Sequence, residues 1–199
     1  TANGPSGDVS IIDLASGKNE PVLPGVSATS FDLSRDEREV AFTTTSSDGE
    51  SEIWLAPLDR SSAPRQLVRG GDQVSFGQEG TLVFRLRDEK TSMLVRMKGD
   101  GTGQERISQI IDKFGVSPDG QWVIVNSAES DKAGYSTLAI SLAGARSVKI
   151  CAGGCPSFWS ADGRFFYVVR LEKTFVFPVA AGKSLPDLPS AGISLSDSP

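Results

Sequence analysis

Short apolar runs separated by polar turns recur along the whole chain. The first run of each pair is β-branched or aromatic: Val40-Ala41-Phe42-Thr43, Leu82-Val83-Phe84-Arg85, Val123-Ile124-Val125-Asn126 and Phe165-Phe166-Tyr167-Val168. A second run follows each one after a polar loop: Ile53-Trp54-Leu55, Met93-Leu94-Val95, Leu138-Ala139-Ile140 and Phe175-Val176-Phe177. Runs of this length and composition predict β-strands, the first of each pair being suited to burial on both faces.

A four-residue turn precedes each first run. Its copies are Ser34-Arg35-Asp36-Glu37, Gly77-Gln78-Glu79-Gly80, Ser117-Pro118-Asp119-Gly120 and Ser160-Ala161-Asp162-Gly163. They begin at residues 34, 77, 117 and 160, so successive copies are 43, 40 and 43 residues apart. This period is typical of a four-stranded propeller blade. The order strand, turn, strand, loop, strand, turn, strand is the pattern of such a blade.

The third and fourth positions of this turn are predicted to hold its shape. An acidic side chain at the third position accepts hydrogen bonds from nearby backbone amides, and glycine at the fourth tolerates positive φ. The residues assigned to this structural role are Asp36, Glu79, Asp119, Gly120, Asp162 and Gly163. The first copy carries Glu37 in place of glycine, and the second lacks both serine and proline. We expect these two turns to be looser than the others.

The predicted fold class is all-β, a β-propeller of four-stranded antiparallel blades with about four complete blades plus a half blade. The 21 glycines and 11 prolines leave no long helical segment free of breakers, and residues 105–113 are predicted to be strand and loop. Within a single domain 1–199, the predicted boundaries are 8–24 for the half blade, 27–70, 72–109, 111–151 and 155–186 for the blades, and 187–199 for the tail. The half blade lacks its first two strands. This indicates an imperfectly closed five-blade ring or, as the favoured interpretation, a fragment of a six-bladed or larger ring.

The charge of the chain argues against two classes of partner. Its net charge is −5 and its basic residues are scattered, which disfavours nucleic acid and anionic membrane surfaces. No apolar run is long enough to span a bilayer, so membrane insertion by this segment is not expected. No cofactor is predicted either. The glycine-rich segment 99–103 lacks the helix and lysine of a phosphate loop, and Asp100 lacks the regularly spaced acidic companions of a Ca²⁺ loop.

Histidine is absent from the sequence. A Ser-His-Asp triad, a His-based metal site and the usual general base near neutral pH are therefore excluded within these residues. The carboxylate pairs Asp36/Glu37 and Asp88/Glu89 fall at predicted turns or loops, where solvated charge is the ordinary explanation. The sequence thus predicts a chain without enzymatic activity, with no catalytic residue and no metal ligand.

The two cysteines, Cys151 and Cys155, flank the segment Ala152-Gly153-Gly154. Two glycines let the backbone curl, so a disulfide that pins the junction between the third and fourth blades is geometrically feasible. The alternative is a pair of reduced, half-buried thiols. Two thiols without histidine do not supply the four ligands of a structural zinc site.

Partner binding is expected on loops, which carry function more often than the strands that position them. The longer polar loops are 46–51, 87–91 and 127–134. Six of their charged residues are the candidates for contacts with a partner: Asp48, Asp88, Glu89, Lys90, Asp131 and Lys132. A purely solvated loop remains the alternative interpretation for each.

Two stretches resemble the aromatic-x-Ser-Pro-Asp-Gly-Lys signature of WD-like repeats in TolB-type β-propellers. They are Phe114-Gly115-Val116-Ser117-Pro118-Asp119-Gly120-Gln121-Trp122-Val123 and Phe158-Trp159-Ser160-Ala161-Asp162-Gly163-Arg164-Phe165-Phe166-Tyr167. The resemblance covers about residues 8–179, and the tail 177–189 is similar to propeller domains attached to bacterial serine/threonine protein kinases and winged-helix regulators. It implies a scaffold that binds proteins or senses ligands, usually from the periplasm. Any kinase activity would belong to a separate domain.

Two functional hypotheses follow. The first is a non-enzymatic propeller that binds a protein partner or small ligand at a rim or channel mouth, as the extracytoplasmic part of a larger bacterial signalling protein. The second is the accessory propeller domain of an enzyme such as a serine peptidase, whose catalytic domain lies outside this chain. In either case, terminal repeats without caps expose apolar strand faces, so some self-association is expected.

Overall fold

In the computed structural model, the chain is built from short β-strands. The structure describes residues 7–88, 91–128, 134–144, 146–170 and 173–179. The strands are β1 Gly7–Asp8, β2 Ser10–Ile12, β3 Asn19–Pro21, β4 Ser27–Ala28, β5 Ser30–Leu33, β6 Glu39–Thr45, β7 Ser51–Pro57, β8 Arg65–Arg69, β9 Gly71–Phe76, β10 Thr81–Arg87, β11 Ser92–Lys98, β12 Glu105–Ile110, β13 Phe114–Val116, β14 Trp122–Ala128, β15 Tyr135–Ser141, β16 Ser147–Ala152, β17 Ser157–Trp159, β18 Phe165–Arg170 and β19 Lys173–Pro178. Within those described ranges, the sole helical element is a 3₁₀ turn at Gln78–Gly80.

Consecutive strands pair antiparallel into meandering sheets. The first sheet has the order β5-β6-β7-β8, the second β12-β11-β10-β9, the third β13-β14-β15-β16, and the fourth β17-β18-β19 among the described residues. Ahead of them, β1 pairs with β4 and β2 pairs with β3. The prediction of an all-β chain of repeated four-stranded antiparallel sheets is confirmed. The segment 105–113, predicted to be strand and loop, contains β12 and the residues after it.

The four sheets span residues 30–69, 71–110, 114–152 and 157–178. The blades predicted for these regions were 27–70, 72–109, 111–151 and 155–186. The predicted half blade 8–24 contains the paired strands β2 and β3. The tail 187–199 and the end of the fourth blade lie outside the described residues.

The chain divides into two compact units, of which unit 1 comprises residues 1–76 and 80–107. Its main core lies between the first and second sheets and consists of Ala41, Ile53, Leu55, Val68, Val74, Phe76, Leu82, Phe84, Val95 and Met97. The opposite side of the first sheet packs on the N-terminal strand pairs through Val9, Val22, Leu23, Ala28, Val40, Phe42 and Ala56. Strand β6 therefore contributes to cores on both of its faces, which explains its apolar run Val40-Ala41-Phe42.

Unit 2 comprises residues 77–79 and 108–199. Its core lies between the third and fourth sheets and consists of Trp122, Ile124, Ala139, Cys151, Cys155, Phe166 and Val168. Trp159 packs against this cluster, with its ring centroid 4.7 Å from that of Phe166. Burying side chains of this size stabilises the fold by about 1.5–3 kcal/mol each.

The repeated turn is held by the same hydrogen bonds in three of its four copies. In the third copy, the Ser117 hydroxyl donates to the Asp119 carboxylate, which accepts the Gln121 N–H at 3.0 Å. Ser117 Oγ also accepts the Trp122 N–H at 2.9 Å, and the Gly120 N–H closes the turn on the Ser117 carbonyl at 2.7 Å. The copies that begin at residues 34 and 160 repeat all four bonds. Serine and aspartate thus stabilise this turn together.

The expectation that the first turn is looser is wrong. Glu37 takes a φ of 54° in place of glycine and still closes the turn, with its N–H 2.9 Å from the Ser34 carbonyl. The bonds of Ser34 and Asp36 offset the strain of a non-glycine residue in this region. The second copy lacks the hydrogen-bond pattern of the other three turns, because Gly77 has no hydroxyl. It forms the 3₁₀ turn instead, with Glu79 at a φ of 54° and Gly80 at 70°.

Candidate binding surfaces

Each meandering sheet has two chemically different ends. The repeated turns, which join the first strand to the second, lie at the same end as the connections between the third and fourth strands. The loops that join the second strand to the third lie at the opposite end, because neighbouring strands run antiparallel. We call these the turn end and the loop end. All six candidate binding residues fall in loop-end connections.

The structure places Asp48 in a tight turn of its own, between β6 and β7. Its carboxylate accepts a hydrogen bond from the Ser46 hydroxyl and forms an ion pair with Arg69. The Gly49 N–H donates to the Ser46 carbonyl at 3.0 Å, and Gly49 has a φ of 86°. The Ser46 hydrogen bond, with help from Arg69, lowers the pKa of the exposed Asp48 carboxyl. The Asp48 carboxylate therefore already stabilises its own loop through this hydrogen bond and this ion pair.

Asp88 is exposed in the loop between β10 and β11, where its N–H donates to the Thr91 carbonyl at 2.8 Å. Its companions Glu89 and Lys90 lie outside the described residues. Asp131 and Lys132, in the connection between β14 and β15, lie outside them as well.

The loop end of the second sheet carries an ion cluster that sequence reasoning missed. Asp72 holds Arg85 through two bonds, Oδ1 to Nε at 2.6 Å and Oδ2 to Nη2 at 2.8 Å. Arg87 Nε lies 2.8 Å from Asp72 Oδ2. The Arg85 side chain is 9% exposed and that of Arg87 is 47% exposed. Asp72 thus neutralises a buried guanidinium, while Arg87 presents positive charge to solvent. The sequence feature that could have indicated this cluster is Arg85, a charged residue directly after the apolar run Leu82-Val83-Phe84.

A half-buried carboxylate joins the first strands of the first two sheets. Asp32 on β5 accepts the N–H of Phe76 on β9 and the N–H of Leu33, each at 2.9 Å. Burial raises the pKa of Asp32 above its ordinary value, and the two hydrogen bonds oppose that shift. Asp32 is therefore a structural cross-link between neighbouring sheets of unit 1.

The structure joins Cys151 and Cys155 in a disulfide between β16 and the segment that enters the fourth sheet. Both residues are buried in the core of unit 2. The Cys155 N–H donates to Thr137 Oγ1 at 2.8 Å. Gly153 and Gly154 take φ values of 75° and 79°, so the loop uses the freedom that only glycine offers cheaply.

The described residues hold neither a metal-ligating cluster nor a membrane-spanning helix. These residues contain no group of three or more Cys, Asp or Glu side chains arranged to hold a metal ion. They also include no helix long and apolar enough to cross a membrane.

Comparison with known proteins identifies the fold. No protein-family model and no curated protein matches this sequence. Among solved structures, TolB from Acinetobacter baumannii matches with a TM-score of 0.63 and 16% identity, over 85% of this chain and 45% of that one. The chain has a TolB-like β-propeller fold. Oligogalacturonate lyase from Vibrio parahaemolyticus matches with a TM-score of 0.66 and 9% identity, over 89% of this chain and 58% of that one.

The β-propeller domain of the Trilobed protease from Pyrococcus furiosus, described as having an open velcro topology, is also similar. Its TM-score is 0.59 and its identity 14%, over 90% of this chain and 61% of that one. The chain thus spans roughly half to three fifths of the length of these structures. At such low identity the TolB-like fold is what the similarity establishes, and the activities of these proteins remain their own.

Proposed function

We propose that this chain is a non-enzymatic binding domain, part of a larger bacterial signalling protein, which docks a protein partner on the loop end of its sheets. The observation that carries the proposal is that four carboxylates of this chain bind other groups of the same chain. Asp36, Asp119 and Asp162 hold turns, and Asp72 neutralises a buried arginine. These carboxylates stabilise the fold, and exposed loop residues such as Ser47 provide the surface on which a partner would dock.

The loop end is favoured over the turn end for a physical reason. At the turn end, three repeats use the same serine and aspartate, so those surfaces are similar from sheet to sheet. The loop-end connections differ in sequence, and half-exposed Arg87 adds a positive charge beside exposed Asp88. Recognition of one partner requires a surface that differs from its neighbours.

An extracytoplasmic location is part of the proposal. Disulfides form and persist in oxidising compartments, and the bond between Cys151 and Cys155 closes a short loop in the core of unit 2. This supports the periplasm as the compartment.

The second candidate function is an accessory propeller domain of a peptidase. The similarity to the propeller domain of the Trilobed protease favours it. In that case the loop end would contact a hydrolase domain of the same polypeptide instead of a separate protein.

Photo-cross-linking from the two ends of one sheet tests the proposal. A benzophenone amino acid replaces Ser47 at the loop end or Ser62 at the turn end; both residues are exposed and both belong to connections of the first sheet. In the organism that encodes the protein, we expect a protein adduct from position 47 and none from 62. Equal adducts from both positions, or none from 47, would refute loop-end docking. An adduct to a hydrolase domain of the same chain would establish the second candidate.

A further inference from the structure

One carboxylate at the loop end of the second sheet binds two guanidinium groups. Both oxygens of Asp72 accept hydrogen bonds from Arg85, whose side chain is 9% exposed. Arg87, 47% exposed, shares one of these oxygens and has no other ion pair within the residues that the structure describes. We call Asp72, Arg85 and Arg87 the arginine cluster. One negative and two positive groups give it a net charge of +1, and the excess positive charge lies on the exposed Arg87.

A β-bulge places Asp72 in this cluster. Val74 on β9 belongs to the core of unit 1, so regular alternation along the strand would direct Asp72 to that core as well. A register shift adds one residue at Gln73 and Val74, and Asp72 pairs instead with Arg85, on the side of β10 opposite the core residue Phe84. Gln73 takes a φ of 51°, which is strained for a residue other than glycine. Bulges and backbone strain are frequent beside binding and active sites, where they redirect a side chain.

Arg87 is a neighbour of the loop in which Ser47 lies. The Arg87 N–H donates to the Gly70 carbonyl at 3.3 Å, and the Gly70 N–H donates to the Ser51 carbonyl at 2.8 Å. These two hydrogen bonds connect the loop ends of the first and second sheets within unit 1. A partner that docks on the loop containing Ser47 would therefore also approach Arg87.

The charges around Arg87 select the kind of anion that it would bind. Guanidinium groups bind carboxylates and phosphates through paired, charge-assisted hydrogen bonds. The exposed Asp88 follows Arg87 directly, and the whole chain carries a net charge of −5. This negative charge repels a phosphate dianion or a strongly acidic segment more than it repels a single carboxylate. The arginine cluster, with an excess of one positive charge, therefore fits one carboxylate.

We propose that Arg87 binds a carboxylate group of the protein partner at the loop end, while Asp72 and Arg85 hold the Arg87 guanidinium in place. This inference rests on the proposed function, because it names the group of the docked partner that is recognised. Arg87 Nε is already paired with Asp72, so the side chain loses less conformational freedom when the partner binds. The contact is ionic and half exposed, so it should weaken as the salt concentration rises.

Small peptides test the site on the full 199-residue chain. The probes are acetyl-Gly-Glu-Gly-amide, its neutral counterpart acetyl-Gly-Gln-Gly-amide, acetyl-Gly-Gln-Gly with a free terminal carboxylate, and inorganic phosphate. NMR of the arginine Nε–Hε groups follows each titration, and Arg87→Lys assigns the Arg87 resonance by removing it. At least one carboxylate peptide should shift this resonance and bind about tenfold more tightly than the neutral peptide. The peptide that binds more tightly shows whether a side chain or a chain terminus supplies the carboxylate. Equal binding of neutral and carboxylate peptides, or tighter binding of phosphate, would overturn the assignment.

Three variants locate the binding group. Arg87→Gln removes both the charge and the guanidinium, whereas Arg87→Lys keeps the charge alone. Arg106→Gln is the matched control, because it removes an exposed arginine of β12 near the turn end. Carboxylate affinity should fall about tenfold in Arg87→Gln, fall less in Arg87→Lys and stay the same in Arg106→Gln. Thermal melts should agree within a few degrees, since the buried pair of Asp72 and Arg85 is retained. Unchanged affinity in Arg87→Gln, or an equal loss in Arg106→Gln, would refute the role of Arg87.

The same variants in the cross-linking experiment separate this inference from the proposed function. With the benzophenone amino acid at position 47, Arg87→Gln should reduce the protein adduct and Arg106→Gln should not. An adduct at full yield in Arg87→Gln would leave loop-end docking standing and overturn the carboxylate contact with the partner. If the wild-type background gives no adduct from position 47, loop-end docking is refuted, and the peptide titrations still decide whether Arg87 binds a carboxylate.

Discussion

Gly120 offers the sharpest test of how the repeated turn is held. Its φ is 67°, and a methyl group placed on its Cα would lie 2.6 Å from the backbone nitrogen of Gln78 and 2.7 Å from the carbonyl carbon of Gly77. The Gln78 N–H donates to the Gly120 carbonyl at 3.0 Å. Gly120→Ala therefore imposes left-handed backbone strain and pushes apart two backbone segments that are hydrogen-bonded to each other.

The two effects can be given magnitudes. A non-glycine residue in the left-handed region costs about 1–2 kcal/mol. Losing the hydrogen bond between Gln78 and Gly120 costs about 1 kcal/mol more. The free energy of unfolding should therefore fall by about 2–3 kcal/mol, and Tm by roughly 5–10 °C for a chain of this size. Urea unfolding followed by circular dichroism measures both, and an unchanged m-value shows that the folded surface is preserved.

Two other glycines serve as matched controls. Gly163 has the same place in the fourth copy and a φ of 70°, but its nearest neighbour is the Pro118 Cβ at 3.4 Å. Gly163→Ala should cost the backbone strain alone, about 1–2 kcal/mol. Gly115 has no positive φ and no atom within 4 Å of an added methyl, so Gly115→Ala should change stability by less than about 0.5 kcal/mol. Equal losses for Gly120→Ala and Gly163→Ala would refute a role for the contact with residues 77–78.

Three further predictions concern covalent, ionic and titrating groups. Replacing Cys151 and Cys155 by alanine opens a five-residue loop and should lower the unfolding free energy by about 2 kcal/mol, measured by urea unfolding. Asp72→Asn leaves the 9% exposed guanidinium of Arg85 without its carboxylate and should cost about 3–5 kcal/mol by the same assay. Asp162 has its pKa lowered from 3.8 to about 2 by the Ser160 hydroxyl first and Arg164 next, so its stabilisation is complete above pH 3.8 and is lost as the pH falls through about 2. Carbon NMR of the carboxyl group should therefore titrate near pH 2.

Each of these has its own control. Glu20→Gln breaks the exposed pair with Lys18 and should leave the urea midpoint nearly unchanged, because solvent screens both charges. A loss equal to that of Asp72→Asn would contradict the burial argument. Ser160→Ala should raise the Asp162 midpoint, and an unchanged midpoint would show that the hydroxyl is not the main cause. If wild-type and double-cysteine variants unfold alike under non-reducing conditions, the disulfide does not constrain the unfolded chain.

The sequence was informative where structure is local. Strands and turns were predictable because the bonds of the repeated turn lie within six consecutive residues, as from Ser117 to Trp122. Glu37 was misjudged because residue type alone does not show that Ser34 and Asp36 still make their bonds. The pairing of Asp72 with Arg85 was missed because it depends on the register between two strands, which pattern and spacing leave open.

The meandering order of the strands has a consequence for biogenesis. Among the described residues, every hydrogen-bonded strand pair in the four sheets joins strands that are consecutive in the chain. A polypeptide that leaves the ribosome or a secretion channel from its N-terminus can therefore complete each ladder without waiting for residues still to come. The sheets can therefore form one after another in the order in which they are synthesised. A pause in translation after a complete sheet leaves none of its strands without a hydrogen-bonding partner strand.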